Sequence, residues 1–256
     1  MKKIFNYKFV ALLIIILSVT ACNKDFLEEA NPNEISTDSY WKTLGDLESG
    51  LVAVYNAYKD GNIFTIVDET KRSDLAWPGY GRPNTSDPYY LQTFNDASGT
   101  PNGKWQQLYK GIFRANQVIT ATDNLMESLD ASQQEQANYV KAQARFLRGL
   151  FYFYLYTGFN EGAVPLVVEI PADEADFYQP ISPAQDVRNF YLADLEYAES
   201  NLPDRWTENR DLGRVTAGAA SAVLGKSYLY EADYITAANY FAKVVSNYGY
   251  TLTPNI

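Results

Sequence analysis

The chain has no histidine and a single cysteine in 256 residues. The first absence removes Ser-His-Asp and Cys-His catalytic groupings, imidazole metal ligands and the commonest general base. The second removes internal disulfides and cysteine-built zinc sites. Positive charge is also scarce: 21 Lys+Arg stand against 31 Asp+Glu, a net charge of -10. Nucleic acid binds a Lys/Arg face, so it is not expected as a partner. Any chemistry here would rest on carboxylates, Lys, Tyr, Ser or Thr, and no metal or cofactor is expected. The densest acidic groups, Glu28-Glu29 and Asp173-Glu174-x-Asp176, read as solvated charge runs. A glycosidase needs two carboxylates held opposite each other across a sugar, and acids adjacent in sequence do not imply that geometry. Gly79-Tyr80-Gly81 is too short for a phosphate loop, and no Gly-Lys-Ser/Thr follows it. No catalytic residue is assigned, and the chain does not read as an enzyme.

What is present is apolar and aromatic. Hydrophobic residues make up 46% of the chain, with 21 Tyr, 13 Phe and 4 Trp. That composition belongs to a globular protein with a sizeable core.

The first 21 residues read as an address and not as fold. Lys2, Lys3 and Lys8 form a positive n-region, and Phe9 to Leu17 is an uncharged apolar run. The run is short for a transmembrane helix, which needs about 20 apolar residues. It leads into Val19-Thr20-Ala21-Cys22, the bacterial lipobox pattern, in which the cysteine is acylated and becomes the new N-terminus. The only cysteine falls where that chemistry needs it, so residues 1–21 are expected to be a lipoprotein signal peptide and Cys22 the lipidation site. Residues 22–36 then act as a tether, and the mature chain is anchored to a membrane outside the cytoplasm.

From residue 37 onward the apolar periodicity is helical. Leu44, Leu47, Leu51, Val54, Tyr55 and Tyr58 form one stripe, stopped near Gly61. Trp105, Leu108, Ile112, Ala115 and Ile119 form a second. The third runs through Ala137, Val140, Ala144, Leu147, Phe151 and Tyr154, opened by a capping box at Asp130 and Gln133 and closed at Gly158. A fourth helix is expected to start at Ser182-Pro183, with Ser182 as N-cap and Pro183 at the first helical position. It carries Val187, Tyr191, Leu195 and Ala198 and stops at Pro203. Two more are expected over residues 216–232 and 234–247. The stretch from Gly61 to Gly103 reads as irregular, and Val164 to Ile170 as an extended loop because Pro165 disfavours a strand.

One unit follows the tetratricopeptide pattern. Leu224-Gly225-x-x-Tyr228 precedes Ala237-x-x-x-Phe241 in register, with Ser221, Val244 and Gly249 departing from the usual residues. Small residues let two antiparallel helices approach, and large ones fill the groove. The fold class is therefore all-α: tetratricopeptide-like hairpins packed in an α-α superhelix, with long irregular loops and little strand, in one domain over residues 37–256. The hairpin lies near the end of the sequence with no polar capping helix after it, so the chain is expected to be C-terminally truncated and the Phe241–Tyr248 face partly exposed.

Arg145 and Arg148 lie beside the third stripe and read as exposed arginines with packed stems, buried ion-pair partners being the alternative. Most aromatics sit at helical spacing and read as core. Trp77, Tyr80, Tyr89, Tyr90 and Phe94 differ, because they fall in a Gly/Pro-broken polar segment. Aromatic faces beside Asn and Asp suit sugars, which offer C–H faces and ring hydroxyls. The candidate glycan-binding residues are Trp77, as stacking platform, with Tyr80 and Tyr89 beside it and Asn84 and Asp87 as hydrogen-bonding groups. A loop pinned down by its own aromatics is the competing reading.

The helix Lys141–Tyr156, with its Phe-Leu-Arg and Tyr-Phe-Tyr-Leu runs, followed by Gly162-Ala-Val-Pro-Leu-Val167, resembles the SusD/RagB family. Cys22 with Asp25-Phe26-Leu27, Tyr40-Trp41, Trp105-x-x-Leu-Tyr109, Arg114-Ala-Asn-x-Val-Ile119 and Gly213-Arg-Val-Thr-x-Gly-Ala219 follow in that family's order. The resemblance implies a non-enzymatic lipoprotein of the outer membrane, facing the cell surface. It would capture oligosaccharide, or in some members peptide, for a SusC-like TonB-dependent transporter. Two other classes stay open: a helical-repeat adaptor that binds only protein, and a carboxylate glycosidase, which would show turnover. Members are usually longer, which agrees with a truncated chain.

Overall fold

The computed structural model describes residues 40–251 except 64–69, 72, 74, 78, 96–98 and 172. Cys22, the signal peptide and the tether lie outside the described residues. The described α-helices are α1 (Leu44–Tyr58), α2 (Pro88–Leu91), α3 (Gly99–Leu125), α4 (Ala131–Gly158), α5 (Ala184–Asn201), α6 (Ala217–Tyr230) and α7 (Tyr234–Ser246). Strand pairing among the described residues is limited to one antiparallel bridge, Pro165 with Ile181. The long helices pack in sequence order, α1 on α3, α3 on α4, α4 on α5, α5 on α6 and α6 on α7, with α1 also touching α4. This is the all-α arrangement of successive hairpins that the stripes imply.

Five of the seven described helices, α1, α2, α4, α6 and α7, start where a side chain satisfies a free N–H group. Thr43 and Asp46 form a capping box for α1, and Asp130 and Gln133 form the expected one for α4. Thr216 caps α6 and Asp233 caps α7. The start of α5 differs from expectation. Pro183 is the N-cap and the helix begins at Ala184, one residue later. The Ser182 N–H donates to the Val164 carbonyl at 3.1 Å, which places Ser182 in the segment of the bridge and not in the first turn of the helix. Helix α3 begins at Gly99, ahead of the expected irregular boundary at Gly103, and α2 lies inside that stretch. Gly158 does not reverse the chain after α4. Asn160, Glu161 and Gly162 do, all at positive φ, and a side chain at Gly162 would strike the Tyr156 ring.

Helix α4 is the centre. From Phe146 to Phe153 every residue is buried, so neighbours cover all its faces. This overturns the reading of Arg148 as an exposed arginine: it is buried, and Arg145 is largely covered. Both meet Asp194, itself buried on α5. Arg145 Nε donates at 2.6 Å, and Arg148 Nε and Nη2 donate at 2.7 and 3.0 Å. Gly149 makes the meeting possible, since a Cβ there would come within 3.1 Å of both the Asp194 Cβ and the Tyr191 carbonyl oxygen.

Candidate functional site

The loop after α1 is built by its polar residues and crowned by its aromatics. The Asn84 carbonyl accepts from the Asp87 N–H at 3.1 Å, and the Asn84 side chain accepts from Ser86 N–H at 3.1 Å. Asp87 is the N-cap of α2, accepting from the Tyr89 N–H at 2.8 Å, with Pro88 at the first helical position. Both side chains thus fold the turn. Tyr89 is half-buried and stacks on Phe94 with ring centroids 5.1 Å apart. Trp77 and Tyr80 are presented to solvent, Trp77 at 58% exposure and Tyr80 fully. Gly79 sits between them at φ +130, where a Cβ would lie 2.1 Å from the Arg82 carbonyl oxygen. Only glycine permits that tight reversal, which leaves Tyr80 at its tip.

Sequence reasoning missed a cleft on another part of the molecule. Trp105, Tyr109 and Phe113 recur every four residues along α3 and form one wall. The opposite wall is the strap of residues 165–179, which contributes Pro165, Val167, Pro171, Asp176, Phe177, Tyr178 and Gln179 around a volume of about 470 Å³. A smaller hollow of about 260 Å³ shares Val167, Pro171, Asp176 and Gln179 with it. The strap is fixed from beneath. Tyr109 donates its hydroxyl to the Pro165 carbonyl at 2.8 Å, and Asn116 Nδ2 donates to the Val167 carbonyl at 2.8 Å. The Tyr152 hydroxyl takes the place of a strand partner for Val167, accepting from its N–H at 2.7 Å and donating to its carbonyl at 3.2 Å. Asn116 is held in turn by Arg148 Nη1 at 2.8 Å, so the buried Asp194 cluster reaches the cleft wall. Burial raises the pKa of both Tyr109 and Tyr152, which keeps these hydroxyls protonated as donors. The signal for this site was the Phe177-Tyr178 pair, set in an acidic stretch with no helical or strand periodicity.

Among the described residues no cluster of His, Cys, Asp and Glu can hold a metal ion, and no helix is long and apolar enough to cross a membrane.

Comparison with known proteins agrees with this architecture. SusD-like protein P2 of Formosa agariphila is 28% identical over 248 residues, covering 94% of this chain and 46% of the relative. SusD-like protein P38 of the same organism is 30% identical over 207 residues, 79% of this chain and 39% of the relative. Among solved structures, a laminarin-binding SusD-like protein superposes with a TM-score of 0.71 at 29% identity, covering 84% of this chain and 47% of its own. A SusD superfamily protein from Bacteroides vulgatus does so at 0.69 and 27%, covering 84% and 46%. The chain spans under half the length of each. The family model described as starch-binding and associating with the outer membrane matches residues 25–229. That match takes in α1 to α5, the strap and nearly all of α6, the first helix of the hairpin, and the chain belongs to the SusD-like family.

Proposed function

We propose that this chain is part of a lipid-anchored outer-membrane protein that captures oligosaccharide at the cell surface and passes it to a SusC-like TonB-dependent transporter. The observation that supports it most is the pair Trp77 and Tyr80, two large aromatics left in solvent on a loop whose polar residues are occupied in holding its shape. Large exposed rings on a scaffolded loop are what stacking on sugar faces requires. The laminarin-binding relative makes a neutral glucan the first ligand class to try. Trp77 is the platform, Tyr80 extends it, and Tyr89 backs the loop through its stack on Phe94. Asn84 and Asp87 offer their remaining acceptor capacity to ring hydroxyls. The role is binding without turnover, and it needs no cofactor.

A protein-binding adaptor is the second reading, drawn from the outer side of α7, where Tyr234, Ile235 and Val245 are exposed. A screen over a glycan array, with a reducing-sugar assay on each hit, separates the readings. Binding without new reducing ends supports capture. Turnover, or silence across the array with binding to peptide, contradicts it. The anchor is tested separately: Cys22→Ala should move the protein from the membrane fraction to the soluble one, because acyl chains supply the attachment. Retention in the membrane fraction would remove lipidation from the account.

A further inference from the structure

We infer that the cleft between the Trp105–Tyr109–Phe113 face of α3 and the strap of residues 165–179 is a second saccharide-binding site, selective for uncharged sugar rings. This inference rests on the carbohydrate-binding role proposed above, and it uses different residues from the Trp77 loop.

Three observations carry it. The first is size and lining: about 470 Å³, walled mainly by aromatic and apolar side chains with Gln179 and Asp176 as polar groups. Small-ligand pockets occupy about 300–1,000 Å³ and have this mixture of apolar walls and few polar groups. The second is exposure without collapse. Phe177 is 66% and Tyr178 78% exposed, although Trp105 and Tyr109 lie in the same cleft. Rings free to pack would bury themselves, but these sit on a strap closed at its base by the Pro165–Ile181 bridge and turned by Asp173, which accepts from the Ala175 N–H, and by the Tyr178 N–H, which donates to the Ala175 carbonyl. Backbone bonds at both ends of the strap hold its course, which lowers the entropy lost on binding. The third is charge. The strap carries Glu169, Asp173, Glu174 and Asp176 and no Lys or Arg. A sulfated or uronic sugar would be repelled there, whereas a neutral one loses nothing, and its hydroxyls can donate to the Gln179 side-chain oxygen.

The test uses the full chain and a panel of neutral glucan, xylan and mannan hexaoses. The tightest binder by calorimetry is then titrated into Phe177→Ala, Tyr178→Ala and Tyr178→Phe. The two alanine variants should each weaken binding roughly tenfold or remove one binding event, while Tyr178→Phe keeps its stacking ring and its affinity. On the wild-type protein, nitration of Tyr178 by tetranitromethane, read by mass spectrometry, should be suppressed when the hexaose is saturating. This second measurement does not depend on how the variants fold. Binding that is unchanged in both alanine variants, with Tyr178 unprotected, overturns the second site and leaves the proposed function standing. No binding of any hexaose by the wild-type protein overturns both. Displacement of the hexaose from Tyr178 by a sulfated oligomer of the same length would overturn the selectivity for uncharged rings.

Discussion

Asp194 is the buried residue on which most polar geometry depends. Two guanidinium groups converge on its carboxylate, and through Arg148 and Asn116 the cluster reaches the Val167 carbonyl at the cleft. Removing one member of a buried ionic group leaves the others desolvated and unpaired, at a cost of about 3–5 kcal/mol. Asp194→Ala should therefore lower unfolding free energy by about that amount in a urea titration. A loss under 1 kcal/mol would mean that water reaches the arginines. Tyr152→Phe acts more locally. It keeps the ring but removes the acceptor of the Val167 N–H, leaving that donor unsatisfied at a cost of about 1–3 kcal/mol, while the Val167 carbonyl keeps its bond from Asn116. Amide exchange at Val167 should quicken in that variant while the amides of α4 stay protected. The sequence held a clue to Asp194, a carboxylate placed between Tyr191 and Leu195 in the buried stripe of α5. The arginines that pair with it are more than forty residues away, so no local pattern showed the pairing.

At the scale of elements, two glycines set how closely helices approach, and they should respond differently. A Cβ on Gly111 of α3 would fall 2.4 Å from the ring of Phe151, which is fully buried in α4 and has nowhere to turn. A Cβ on Gly225 of α6 would fall 2.7 Å from the ring of Phe241 on α7, which is 37% exposed and can swing outward. Gly111→Ala should cost about 1–3 kcal/mol by overpacking. Gly225→Ala should be close to neutral, since the gain in helix propensity offsets the ring's shift. Gly225→Leu fills more space and should cost about 1–3 kcal/mol, a penalty that shrinks in a Phe241→Ala background. Thermal melts of these variants check the ranking, and equal losses at Gly111 and Gly225 would contradict it. Gly225 was legible because the tetratricopeptide spacing names it, as the apolar stripes named the long helices. Gly111 was not, because nothing local says that a mid-helix glycine faces a ring on the next helix. Asp87-Pro88 carries two signals in one place: an N-cap followed by Pro at the first helical position, which starts α2, and a carboxylate among loop aromatics, whose cap leaves acceptor capacity over.

For the whole molecule, the absence of histidine and the abundance of buried tyrosine set the response to pH. No imidazole titrates, so stability should be nearly level between about pH 6 and 8. Tyr55, which joins α1 to Gln143 on α4 and to the Val215 N–H ahead of α6, has its pKa pushed up to about 12 by burial. Tyr240 and Tyr248 are also raised to about 12, chiefly by burial, with nearby glutamates adding to it. A folded-state pKa above the unfolded value of 10.0 gives stability that is complete below pH 10 and lost as the pH rises toward 12. The last part of the tyrosinate absorbance change should coincide with the loss of helical circular dichroism, and completion of the tyrosinate change while the helices persist would contradict the burial of these hydroxyls. Sugar capture by the aromatic loop is the central proposal. The most direct measurement is a calorimetric titration of the best-binding neutral hexaose into the wild-type chain and Trp77→Ala side by side, with melting curves for both. Trp77 is more than half exposed, so its loss should leave the melting temperature unchanged while weakening binding by about 2 kcal/mol or more. Full affinity in Trp77→Ala, or a variant that simply unfolds, would show that Trp77 is packing and not the platform for the ligand.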